Sequence, residues 1–165
     1  MTAFEGFDTG PSEWLISGQP FVVRRRVKWA ECDPAGVVYT VNFSEYVISA
    51  ANRFYAFLLG APVEAGKDAQ SFGTPVKALS FVFNKSLRPD ELFDVSVTVM
   101  DVRERSFDLA IAGTNETGEN IFSATLSPIC IARPERRSIS IPAEFRSRLM
   151  EVAAQRTALE QDAGD

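Results

Sequence analysis

An acid, a turn and the start of an oily helix follow one another in residues 29–40, Trp-Ala-Glu-Cys-Asp-Pro-Ala-Gly-Val-Val-Tyr-Thr. Asp33 opens the turn at Pro34, Ala35 and Gly36, and the chain then enters an apolar segment from 41 to 59. A carboxylate held a few residues ahead of free helix amides can attack an acyl carbon or activate water. The amides and the helix dipole stabilise the oxyanion that develops. Asp-Pro by itself is an ordinary turn opening, so the surroundings decide. The sequence has no histidine, which removes Ser-His-Asp and Cys-His pairs, imidazole acid–base chemistry and His-containing metal sites. Two cysteines, Cys32 and Cys130, are too few for an all-thiolate zinc site or a disulfide framework. Cys32 has no base to activate it and reads as a small buried residue. No metal and no cofactor is expected, and proton work falls to a carboxylate.

The elements that must hold this acid can be read from periodicity. Tyr46, Val47, Ala50, Ala51, Phe54, Phe57 and Leu58 recur at three- and four-residue steps, with Phe43 one turn earlier. Only Glu45 and Arg53 are charged in this helix, so burial over most of its circumference is expected. Thr40 or Asn42 can cap it, Asn42 and Glu45 have capping-box spacing, and Gly60 with Pro62 marks the stop. Residues 21–29 suit a strand with Arg24, Arg26 and Lys28 on one face and Val23, Val27 and Trp29 on the other, Arg25 being the exception. A loop over 61–73 follows. Four further strands are expected over 75–87, 92–103, 107–112 and 121–132, with polar links short enough to make neighbours antiparallel. Pro128 implies an edge or a bulge. A final helix over 142–161 carries Phe145, Leu149, Val152 and Ala153 on one stripe. One oily helix and about five antiparallel strands fit an α+β chain in which a curved sheet wraps the helix, the hotdog fold. The division expected is an N-terminal arm over 1–20 without a core of its own, a domain over 21–141, and a C-terminal helix and tail over 142–165.

At 165 residues the chain suits one domain. A net charge of −5 leaves no electrostatic footprint for nucleic acid. The sequence has no run of the roughly 20 apolar residues that span a bilayer and no secretory leader, so a cytoplasmic protein without a membrane partner is expected.

The run Cys32-Asp33-Pro34-Ala35-Gly36-Val37-Val38-Tyr39, then Asn42-Phe43 and Ala50-Ala51-Asn52-Arg53, resembles the 4-hydroxybenzoyl-CoA thioesterase family of hotdog enzymes. The similarity continues through Gly73-Thr74-Pro75, Ser80-Phe81-Val82, Arg105-Ser106-Phe107 and Ile141-Pro142-Ala143-Glu144, covering about residues 22–146 in the family's order. What the resemblance implies is hydrolysis of an acyl-CoA thioester in oligomers built from paired dimers. Asp33 matches the catalytic acid, as nucleophile or as general base. Thr40 matches the helix-start position whose backbone amide polarises the thioester carbonyl. Gly36 permits the turn and close approach of substrate. Thr74, Pro75 and Val76 match a segment that contacts substrate across a subunit interface. Arg103, Arg105 and Arg137 match basic positions that hold coenzyme A, with Arg136, Lys85 and Arg88 as nearby alternatives; a guanidinium suits phosphate through its fixed fork of donors.

In the 4-hydroxybenzoyl enzymes an acid on the central helix binds the ring hydroxyl, and Ile48 stands at that position. An apolar acyl pocket is therefore expected, with Tyr39, Phe43 and Phe54 available either as aromatic surface or as core. The expected partners are the acyl-CoA substrate and further copies of the chain in a homodimer or homotetramer. A different class of reading is a hotdog module that binds acyl-CoA, or scaffolds a partner, without turnover. Hydratase or dehydratase activity is disfavoured because hotdog enzymes of that kind use a histidine.

Overall fold

The computed structural model describes residues 10–162. Helix α1 spans Asn42–Leu59 and ends at Gly60, whose φ of 63° is the left-handed cap that glycine adopts without strain. Its start differs from the expectation. No side chain caps it, and the Asn42–Glu45 box does not form. Asn42 donates through Nδ2 to the Glu31 carbonyl (2.6 Å), and the Glu45 carboxylate is taken by Arg25. The first turn is tightened by Asn42 N to Tyr39 O (2.8 Å) and Phe43 N to Thr40 O (3.3 Å).

Six antiparallel strands curl around α1 in the order β1-β2-β5-β6-β7-β4. They are β1 (Glu13–Gly18), β2 (Phe21–Arg26), β4 (Val76–Phe83), β5 (Leu92–Val102), β6 (Phe107–Asn115) and β7 (Asn120–Pro128). β3 (Phe72–Gly73) and β8 (Ile131–Ala132) form a separate short pair. Within the expected arm, residues 13–18 dock on the sheet as β1, which pairs with β2 from Glu13 opposite Arg25 to Gly18 opposite Phe21. The first nine residues of that arm lie outside the described residues. The 61–73 link contains α2 (Val63–Ala69). Pro128 ends β7 opposite Val76, where the register shifts before Ala78, so the bulge that proline implied is in the partner strand.

The core is aromatic. Tyr46 packs on Phe93, Phe54 on Phe21, and Phe43 on Phe122, with ring centroids 5.1–5.5 Å apart. Each such ring contributes about 1.5–3 kcal/mol through burial. α3 (Ala143–Asp162) closes one end of the sheet by placing Phe145 against Tyr55, Phe72 and Phe107. Phe43 and Phe54 are therefore core, not pocket surface. α1 is less enclosed than its composition suggested, because Phe57 is partly exposed and the stripe through Glu45, Ile48, Asn52 and Arg53 faces outward. Trp29 also departs from the strand pattern. β2 stops at Arg26, Trp29 opens a 3-10 turn over Trp29–Glu31, and the residue is 81% exposed.

Candidate active site

The Asp33 turn is a small hairpin folded onto the start of α1. Cys32 bridges to Val38, Asp33 N donates to Val37 O (2.9 Å), and Gly36 N donates to Asp33 O (2.9 Å). Gly36 has a φ of 77°, a conformation that a side chain would strain. Asp33 is half-buried, and its Oδ1 accepts from the Ala35 amide (2.8 Å). The turn-opening role is thus real, and it occupies one carboxylate oxygen only. No donor meets the other oxygen, and no acceptor takes the Thr40 amide, among the described residues. Tyr39 and Thr40 are exposed beside the turn. Cys32 is no candidate nucleophile, since burial and then the Glu31 and Asp33 carboxylates push its thiol up.

What holds the turn in place is a cluster that pattern reasoning missed. The Glu31 carbonyl accepts from Tyr39 N (3.0 Å) as well as from Asn42. Its carboxylate accepts from Tyr46 Oη (2.7 Å), Lys28 N (2.9 Å) and Arg25 Nη2 (3.1 Å). Burial alone would raise the Glu31 carboxyl, but these donors hold it below its ordinary value. Arg25 is 3% exposed and also reaches Glu13 (2.7 Å) and Glu45 (2.6 Å), with its guanidinium carbon 4.5 Å from the Tyr46 ring centre. A signal was available. Arg25 shares the inward register with Val23 and Val27 on a two-residue period, and a buried guanidinium requires acids around it.

From this end an open groove of about 560 Å³ runs along the outer face of α1, lined by Glu45, Ile48, Ser49, Asn52, Arg53 and Ala56, among others. Ile48 does sit in it, but the wall is mixed and not simply apolar.

Thr74, Pro75, Val76, Arg103, Arg105 and Arg137 lie at the opposite end of the sheet, whereas the alternatives Lys85 and Arg88 flank Leu87, whose carbonyl accepts from Val38 N of the Asp33 turn (2.8 Å). Val76 begins β4, while Phe83 ends it against Phe43 at the α1 start. At 3.3 Å per residue the two are roughly 25 Å apart. Thr74 accepts from the Lys67 ammonium (2.6 Å), and Pro75 O accepts from Ile129 N (3.0 Å). Arg105 is at the same end, donating to Ser138 beside Arg137 (3.2 Å). Arg103 is there too, but its guanidinium is taken by Asp108 (2.8 Å) and Asp101 (2.7 Å). Those two acids raise it above its ordinary value. One copy therefore joins Asp33, Gly36, Tyr39 and Thr40, with Ile48 further along α1, and separates them from Thr74, Pro75, Val76, Arg103, Arg105 and Arg137.

The chain is 28% identical over 91 residues to the 4-hydroxybenzoyl-CoA thioesterase of Pseudomonas sp. (strain CBS-3), a match covering 52% of this chain and 61% of that enzyme. The chain thus spans less than two thirds of that relative's length. Its fold matches a 1,4-dihydroxy-2-naphthoyl-CoA thioesterase from Synechocystis with a TM-score of 0.72 at 21% identity, covering 80% of this chain and 96% of that one. A Staphylococcus aureus protein solved in complex with CoA matches at a TM-score of 0.76 and 16% identity, covering 90% and 89%. The wrapped helix is thus the hotdog fold. A family description matches residues 27–149, from the end of β2 to the second turn of α3, and on that match the chain belongs to the Thioesterase-like superfamily.

Proposed function

We propose that this protein is an acyl-CoA thioesterase that hydrolyses an aromatic or apolar acyl-CoA to the free acid and coenzyme A. The observation that carries the reading is the pairing, at one end of α1, of an open Asp33 oxygen with the unused Thr40 amide. A thioester carbonyl is readily attacked, and coenzyme A leaves as a thiolate, so a carboxylate suffices. Asp33 either bonds to the carbonyl carbon itself or takes a proton from the water that does. The carbonyl oxygen becomes an oxyanion facing the Thr40 amide and the positive end of the helix dipole. Its collapse breaks the C–S bond. Direct attack leaves a mixed anhydride, which a water molecule cleaves to restore Asp33. The Pseudomonas and Synechocystis relatives are named for aromatic CoA esters, which supports an aromatic acyl group here.

Ile48 replaces a hydroxyl-binding acid with a side chain that cannot accept a hydrogen bond. Burying a phenolic hydroxyl against it costs about 1–3 kcal/mol, so benzoyl-CoA should exceed 4-hydroxybenzoyl-CoA in kcat/KM by about tenfold. A thiol-release panel with the coenzyme portion fixed checks both hydrolysis and this order. A tenfold preference for the hydroxylated substrate would overturn the role given to Ile48. Saturable binding with no thiol release would favour a non-catalytic acyl-CoA-binding protein.

The complete site needs a second copy. β4 is an unpaired sheet edge on which Val76, Val82 and Phe83 are exposed, and such an edge seeks a strand. Two chains paired antiparallel along β4 would set the 74–76 segment of one beside the Phe83 end of the other, next to its Asp33 turn. Arg105 and Arg137 at that end would then meet the coenzyme A phosphates, with Arg103 beside them held by Asp101 and Asp108. Light scattering at assay concentration should give a dimer or tetramer. An active monomer would refute the composite site.

A further inference from the structure

The α1 groove carries one cation, Arg53, beside Ile48 and Asn52. Its side chain is 48% exposed, and a free guanidinium there would be a fork of donors suited to a carboxylate. It is not free. Its Nε donates to Oε1 of Glu13, and its Nη2 donates to the Glu13 carbonyl (3.4 Å). Glu13 is itself only 5% exposed at its side chain, and its two oxygens also accept from Ser49 Oγ (2.8 Å) and Arg25 Nη1 (2.7 Å). This acid comes from β1, outside the 27–149 region that defines the family match.

We propose that Glu13 is a specificity-determining residue, which by occupying Arg53 makes the groove refuse acyl groups that end in a carboxylate and take neutral ones. The inference rests on the hydrolase reading and on the groove as the acyl site. An incoming carboxylate meets a cation that is already paired, with the Glu13 and Glu45 carboxylates beside it. Discrimination of this kind comes from a repulsive element as much as from an attractive one. The N-terminal strand thus sets acyl choice at a site whose chemistry belongs to the rest of the chain.

The test compares pentanoyl-CoA with glutaryl-CoA, which have the same carbon count and differ at the acyl terminus. The parent protein should favour pentanoyl-CoA in kcat/KM by about 30-fold or more. Glu13→Gln keeps the side-chain length and an acceptor oxygen but removes the charge that neutralises Arg53, and should move the ratio toward glutaryl-CoA by about tenfold. Adding Arg53→Met should reverse that shift, a reversal that loss of structure alone would not produce. If Glu13→Gln does not fold, Arg53→Met alone decides the matter. Because Arg53 is already taken, its removal should change the ratio by less than about threefold, and a tenfold selective loss on glutaryl-CoA would overturn the inference. A ratio unmoved by Glu13→Gln would also overturn it while leaving the hydrolase reading intact. Thiol release from no acyl-CoA by the parent protein would remove both.

Discussion

Asp33→Asn is expected to fold as the parent does and to lose about 10³-fold or more in kcat. The fold survives because the asparagine oxygen still accepts from the Ala35 amide, the bond that now closes the turn at 2.8 Å. The Cys32–Val38 bridge and the Glu31 contacts with Tyr39 and Asn42 do not involve the replaced atoms. Turnover should fail because an amide neither attacks an acyl carbon nor accepts a proton from water at neutral pH. An effect of that size corresponds to about 4 kcal/mol of transition-state stabilisation. KM should change far less than kcat, since the groove and the helix amides remain. Circular dichroism together with steady-state kinetics checks both halves. A near-normal kcat would reduce Asp33 to a turn former.

The second large effect is on stability. Arg25→Met removes the cation shared by Glu13, Glu31 and Glu45 and leaves acids buried without it. Breaking a buried ion pair from one side costs about 3–5 kcal/mol, which for a chain of this size lowers Tm by roughly 10 °C. The pH dependence has a definite sign. The Glu31 carboxyl is depressed in the folded protein, so its share of the stability is present above the ordinary value of 4.5 and is lost as pH falls through the lower folded value. The gap in Tm between parent and variant should therefore be widest near neutrality and narrow in acid. Thermal melts at several pH values measure it, and a variant melting within about 2 °C of the parent at pH 7 would contradict the account. Activity should fall as well, because Glu31 is the residue through which the cluster grips Tyr39 and Asn42.

Legibility in the sequence followed the physics of each element. α1 was readable because its apolar positions recur at helical spacing and Gly60 supplies a left-handed end. β5 and β6 were readable because each alternates over eight residues. β1 was not, because its inward position is an acid, Glu13, while Leu15 and Ile16 lie exposed at the sheet edge, the reverse of an alternating signal. Only pairing with β2 and the need of Arg25 and Arg53 for a counter-charge make that segment a strand. Trp29 misled for a related reason, since its size suggests core and the chain turns away just before it. The Asp33 turn was visible as a motif, but the Glu31–Arg25–Tyr46 cluster that seats it spans three elements and has no local signature. The pairing of Arg103 with Asp101 and Asp108 likewise has no signature in the spacing of the arginines.

The central claim is turnover of an acyl-CoA thioester by this chain, and moles of coenzyme A thiol released per mole of protein test it most directly. With benzoyl-CoA in large excess and a thiol reagent present, the account predicts steady release far beyond one equivalent per chain, abolished in Asp33→Asn. Release that stops at or below one equivalent, or that continues equally in Asp33→Asn, would contradict it.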